Sequence, residues 1–136
     1  MKTNFELSDN IALTYDTQYF DLHNNFDFMK LEQNEINKSI KLYWKKNFGY
    51  WNKENNTEMI ILEHTLVSHF EIFNSQNNQG DENCLSEITF FPSTERDNIS
   101  SFMNQTKPNI DDDILYFFDN GKIIRINCDE IILRIL

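Results

Sequence analysis

Glycine and proline are scarce: only 3 Gly and 2 Pro occur in 136 residues. With so few glycines there is no phosphate-cradling P-loop, no dinucleotide-binding fingerprint and no Gly-x-Ser-x-Gly nucleophile elbow. Most turns must then be made by Asn and Asp, which tolerate left-handed backbone. The 2 cysteines, Cys84 and Cys128, lie in apolar stretches and lack Cys-x-x-Cys spacing. They read as small buried hydrophobes in a reduced setting, with Asp129 beside Cys128 opposing thiolate formation. No stretch approaches the roughly 18 apolar residues that cross a bilayer, and Met1 to Glu6 lacks the apolar core of a secretory signal. The expectations are a cytoplasmic location, no membrane, no cofactor and no metal.

Positive charge is the other shortage. Lys and Arg total 12 against 22 Asp and Glu, a net charge of −10. Such a chain repels phosphate backbones, so direct nucleic-acid binding is not expected. It suits a basic partner met by steered, salt-sensitive association. Solubility alone is the competing explanation of the acidity.

Aromatic residues are plentiful, at 14 % with 12 Phe, which separates the chain from disordered acidic tails. Its length fits one domain spanning residues 1–136. Period-two alternation predicts strands over Ile11–Tyr15, Phe26–Glu32, Lys38–Lys45, Met59–His64, Leu66–Phe73, Leu85–Phe91, Ile114–Asp119, Lys122–Asn127 and Glu130–Leu136. Asn34 to Asn37 reads as a hairpin turn. Whether Met59–His64 and Leu66–Phe73 form one bent strand or two stays open. Asn120-Gly121 predicts a two-residue type I′ turn, with Phe118 opposite Ile123 and Tyr116 opposite Arg125. Thr94 would cap one short helix carrying Ile99, Phe102 and Met103 on one face. Asn74 to Asn83 is a polar stretch that reads as a surface loop. The fold class is mostly β: an antiparallel β-sandwich or a curled, barrel-like sheet of seven to nine strands with one short helix.

Catalytic chemistry finds little footing. His64 and His69 are five apart and would face opposite sides of a single strand, which is no metal-ligand spacing. Asp21 and His23 form either an acid–base or ligand pair, or a turn-stabilising unit. Of the acidic runs Asp111-Asp112-Asp113, Asp81-Glu82 and Asp129-Glu130, the first, with Asn109 and Ile110 before it, lacks the alternating oxygens and the Gly of a calcium loop. They read as solvated turns or as an anionic patch for Lys and Arg of a partner, on loop tips around one edge of the fold. Tyr50 and Trp51 are of the residue types that anchor interfaces. The candidate partner-binding set is therefore Asp81, Glu82, Asp111, Asp112, Asp113, Asp129, Glu130, Tyr50 and Trp51.

Asp21-Leu22-His23, then Ile40-Lys41-Leu42-Tyr43-Trp44, then Leu66-Val67-Ser68-His69-Phe70, and finally a strand, Asn120-Gly121 and another strand, follow each other in an order that resembles small bacterial immunity-type domains of polymorphic-toxin and contact-dependent growth inhibition systems. Asn24-Asn25 stands where those domains carry Asp-Ala, and no residue role carries over. The resemblance implies a non-enzymatic protein that binds a cognate toxin domain, a basic nuclease, and occludes its active site. The alternatives are a structural or adaptor β-domain of a larger assembly, or a small-ligand-binding protein.

Overall fold

Alternating apolar and polar side chains build nearly every element. The computed structural model describes residues 1–47, 57–74, 80–97 and 105–136. Within them lie twelve strands: β1 (Lys2–Thr3), β2 (Glu6–Ser8), β3 (Ala12–Tyr15), β4 (Gln18–Asp21), β5 (Phe26–Asn34), β6 (Ser39–Lys46), β7 (Met59–Thr65), β8 (His69–Phe73), β9 (Leu85–Pro92), β10 (Asp112–Phe118), β11 (Ile123–Asn127) and β12 (Glu130–Ile135). They form a first sheet ordered β1-β12-β7-β6-β5, a second ordered β8-β11-β10-β9 and a third, β2-β3-β4. Pairing is antiparallel except between β1 and β12. The two larger sheets face each other as a sandwich and neither closes into a barrel.

The core lies between these two sheets. Ile40, Leu42, Trp44, Ile60, Leu62 and Leu133 come from the first, and Ile88, Phe90, Ile114, Tyr116, Phe118 and Ile124 from the second. Trp44 stacks on Phe118 with ring centroids 6.1 Å apart and an interplanar angle of 4°. A bulge at Met29 shifts the register of β5, pairing Phe28 with Trp44 but Lys30 with Tyr43. Without that extra residue the strand's phase would turn Lys30 inward and Leu31 outward.

His64 on β7 is fully buried, and it joins the sheets. Its Nδ1 lies 2.9 Å from the Ile40 carbonyl and its Nε2 lies 2.8 Å from the Tyr116 hydroxyl. A carbonyl only accepts, so Nδ1–H donates to Ile40 and Nε2 accepts from Tyr116. Burial pushes the ring's pKa down to about 4, and burial likewise raises the Tyr116 phenol.

Seven to nine strands were expected; the described residues hold twelve, with β1, β2 and β4 added, each too short to show a period in the sequence. Met59–His64 and Leu66–Phe73 belong to two strands in different sheets, and the chain turns the corner at Leu66, whose φ is 50°. The β10–β11 hairpin is one residue out of the expected register: Phe117 pairs with Ile123, Tyr116 with Ile124 and Leu115 with Arg125. Gly121 N–H bonds to the Phe118 carbonyl at 2.9 Å with φ 89°, and Asn120 is not left-handed. This is a three-residue loop with a glycine bulge, the next-commonest solution for an Asn-Gly hairpin.

The expected helix is replaced, in the described residues, by a 3₁₀ turn over Ser93–Glu95 without a side-chain cap. Ser, Thr, Asp and Asn dominate this stretch and compete with helical hydrogen bonding. Ile99, Phe102 and Met103 lie outside the described residues.

Asn and Asp do supply turns, as the glycine shortage required. Asp9 and Asn10 have φ of 53° and 57°, and Asp16 and Thr17 have 48° and 62°. Asp9 and Asn10 begin the three-residue link that Ile11 completes between β2 and β3, and Asp16 and Thr17 form the two-residue link between β3 and β4. Thr17 is β-branched and strained there. Thr17→Gly is expected to raise stability by about 1 kcal/mol, read as a higher denaturant midpoint with unchanged slope.

His64 takes up its proton only near pH 4 in the folded chain, against 6.5 when exposed. Its contribution to stability is complete above about pH 6.5 and declines as the pH falls towards 4, by about 3 kcal/mol in all. His64→Gln keeps a donor for Ile40 and an acceptor for Tyr116, so urea titrations of this variant are expected to lose that part of the acid slope.

Candidate functional site

Asp111, Asp112 and Asp113 are consecutive in sequence but differ in burial. Asp111 is exposed, whereas Asp112 and Asp113 are buried at 3 % and 0 %. Asp112 Oδ2 accepts from Gln105 Nε2 at 2.6 Å and from the Asn109 N–H at 2.8 Å, closing the turn into β10. Asp113 accepts from Arg96 Nε and Nη2 at 2.9 Å, from Arg125 Nε, and from Asn127 Nδ2 at 2.8 Å. Burial alone would raise the Asp113 carboxyl; the hydrogen bonds from Arg96, Arg125 and Asn127 outweigh it and hold the group below the usual carboxylate range. Asp112 and Asp113 therefore leave the candidate binding set. Strand alternation explains it: Asp113 and Leu115 share the outer face of β10 with Arg125, which pairs with Leu115 across β11.

The remaining expected positions lie at opposite ends of the sandwich. Asp81 and Glu82 are exposed beside the β10–β11 hairpin, while exposed Asp111 and Asp129 and half-buried Glu130 sit at the other end of β10. Seven strand residues separate the two groups, about 20 Å at the usual rise. One edge does not hold them all. Tyr50 and Trp51 lie outside the described residues.

The strongest concentration of unpaired acid was missed in the sequence. Between Thr3 and Met29 the chain carries Glu6, Asp9, Asp16, Asp21 and Asp27 but no Lys or Arg. The folded chain brings part of this segment against β9 and the 80–84 loop: the Ile88 N–H bonds to the Asn10 carbonyl at 2.7 Å, and His23 Nδ1 lies 2.5 Å from the Leu85 carbonyl. A groove of about 430 Å³ is lined by Asp9, Asn10, Ile11, Ser86 and Glu87. Burial raises the Glu87 carboxyl, and burial followed by Asp81 raises that of Asp27. Burial and then Asp119, Asp81 and Asp27 raise the Cys84 thiol. Gly80, at φ 104°, fixes this corner: a Cβ there would meet the Asp119 carbonyl at 2.6 Å. The Asp81 N–H bonds to Asp119 Oδ2 at 3.2 Å.

Five cations are paired elsewhere, and Lys45 stands opposite Asp27 across β5 and β6. Arg96 and Arg125 hold Asp113, and Lys30, Lys41 and Arg134 meet Glu32 and Glu63. Among the described residues, none of Asp9, Asp27, Asp81, Glu82, Glu87 and Asp119 is within ion-pair distance of a Lys or Arg. Lys122 is the cation that feels Glu82, and its ammonium lies 4.5 Å from the centre of the Phe118 ring.

His23 and His64 are held by hydrogen bonds within the fold, and both cysteines are free thiols. Asp21 accepts from the backbone N–H groups of His23 and Asn24, not from the His23 ring. His69 sits on the second sheet, 3.2 Å from Glu71. Burial pushes the Cys128 thiol up to about 12. Among the described residues, no group of three or more His, Cys, Asp or Glu is arranged to hold a metal, and no helix is long and apolar enough to cross a membrane. No protein-family model, curated protein or solved structure matches the chain.

The division of the Asp run is testable by denaturation. Asp113→Asn leaves Arg125 buried without its counter-charge and is expected to cost about 3–5 kcal/mol. Asp111→Asn, on an exposed position, is expected to change stability by less than about 0.5 kcal/mol.

Proposed function

We propose that this chain is an immunity-type inhibitor that binds a basic toxin domain, a nuclease, and covers its active site with an anionic surface. The observation that carries the reading is the grouping of Asp9, Asp27, Asp81, Glu82, Glu87 and Asp119 on one side of the sandwich, none of them, among the described residues, in an ion pair with Lys or Arg, with Lys45 opposite Asp27 and Lys122 near Glu82 as the cations beside them. Burial first, and then Asp81, raises the Asp27 carboxyl, and burial followed by Asp119, Asp81 and Asp27 raises the Cys84 thiol; the smaller, like-charge part is relieved when a partner supplies Lys or Arg. Nucleases are basic where they hold the phosphate backbone, so an anionic surface competes for the groups that substrate needs. The scaffold suits such a role, because the acidic loops are tied to strands by backbone hydrogen bonds, which lowers the ordering cost of binding.

Co-purification with the product of a neighbouring toxin-type reading frame tests the proposal. A stable complex is expected at about 50 mM salt, weakening as salt rises. No complex at low salt would rule the reading out. The surface is tested separately by charge changes. Asp9→Asn with Glu82→Lys and Glu87→Lys is expected to slow association by about tenfold or more at low salt, while Asp111→Lys with Asp129→Lys leaves it within about twofold.

A further inference from the structure

Open sheets leave edges, and most edges in this fold carry a device that prevents further pairing. β5 has its bulge at Met29 followed by Lys30. β9 is met by the third sheet through the Ile88–Asn10 hydrogen bond, and β2 by the Leu7 N–H to the Thr106 carbonyl at 2.9 Å. β12 is covered by β1 and by Asn4, whose side chain bonds both the Leu133 N–H and its carbonyl. β4 is four residues long and ends in Asp21.

β8 differs. Among the described residues it pairs with β11 alone. Its sequence, His69-Phe70-Glu71-Ile72-Phe73, has no Lys, Pro or bulge, and Ile72 and Phe73 are each 44 % exposed. We propose that β8 is a homodimerisation edge, pairing antiparallel with β8 of a second copy to join two four-stranded sheets into one of eight strands.

The occupant follows from self-complementarity of the edge and from symmetry. A two-fold axis perpendicular to the sheet keeps each residue on its own face, so opposed residue numbers sum to an even value. Centring the axis on Phe70 places each His69 imidazole opposite the Glu71 carboxylate of the other copy, giving two symmetric pairs of a hydrogen-bonding ring and an acceptor, with Phe70 against its counterpart. Centring it on Glu71 would set two carboxylates directly opposite and is disfavoured. β8 and β9 are opposite edges of the second sheet, so this pairing leaves the β9 side, with Glu87 and the acidic groove, turned away from the junction. The inference does not rest on the proposed inhibitory function.

Light scattering and sedimentation of the full chain alone provide the test. A concentration-dependent dimer is expected, strengthened by salt because each copy carries a charge of −10; binding to a basic partner would respond to salt in the opposite sense. Hydrogen exchange is expected to slow in β8 as protein concentration rises. Ile72→Lys, at an exposed edge position, is expected to weaken the dimer by about tenfold while leaving the monomer folded. A chain that is monomeric at every concentration and salt overturns the proposal, as does a dimer indifferent to Ile72→Lys or a β8 protected only when a different protein is added.

Discussion

Tyr116 is the point at which the two large sheets are tied together. Its hydroxyl donates to His64, and His64 in turn donates to the Ile40 carbonyl, so one hydrogen-bonded chain runs from β10 through β7 to β6. Such a link inside an apolar core works only if every member is satisfied and uncharged. Burial secures the second condition by holding the imidazole neutral until the pH nears 4. Trp44 and Phe118 stack beside it, and Phe28 packs against both. Fixing Tyr116 inward also fixes the alternate residues of β10 outward. Asp113 and Leu115 therefore belong to the opposite face, where Asp113 meets Arg125. The inner polar link and the outer ionic cluster are two consequences of one strand phase.

That outer cluster explains how a strongly acidic chain tolerates a buried carboxylate. Asp113 receives two guanidinium groups and an amide, enough donors to offset the cost of removing its charge from water. Arg125 is equally buried; it donates again to the Pro92 carbonyl at 3.2 Å, with its guanidinium carbon 5.6 Å from the centre of the Phe91 ring. Arg125 is thereby committed to the interior, and Arg96, at the part-exposed rim, is committed to Asp113.

The fold was legible where strands were long and apolar in alternation. Residues 38–45 show the period plainly, 85–91 and 130–136 stand out as short apolar stretches, and each became a strand. The third sheet was less legible for two physical reasons. Its strands are three or four residues long, below the length at which a period can be distinguished from chance. Its turns place Asp9, Asn10, Asp16 and Thr17 at positive φ without a glycine, so the usual punctuation is missing. The Asn120-Gly121 hairpin misled in the other direction, because the same dipeptide also serves a three-residue loop, and one residue of slip moved Arg125 from opposite Tyr116 to opposite Leu115. Charge was misjudged by a related route. A run of three Asp draws the eye, but the run enters a strand, and alternate residues of a strand meet different environments. The more informative signal was the absence of Lys and Arg from Thr3 to Met29.

The placement of charge carries the functional argument. A net charge of −10 spread evenly would chiefly keep copies of the protein apart. Here Lys30, Lys41 and Arg134 neutralise carboxylates on the outer face of the first sheet, and Arg96 and Arg125 neutralise Asp113. Among the described residues, Asp27, Asp81, Glu82 and Asp119 stand without an ion pair where the 80–84 loop and the β10–β11 hairpin meet, with Lys45 and Lys122 as the nearby cations. Gly80 and the Asp81–Asp119 hydrogen bond hold that corner in place, so like charges are kept close by backbone geometry even though their repulsion opposes it. Solubility alone does not require such an arrangement, since scattered carboxylates would serve equally well. A surface that stores repulsion in a fixed geometry gains most from a ligand of opposite charge, and gains it without rearranging.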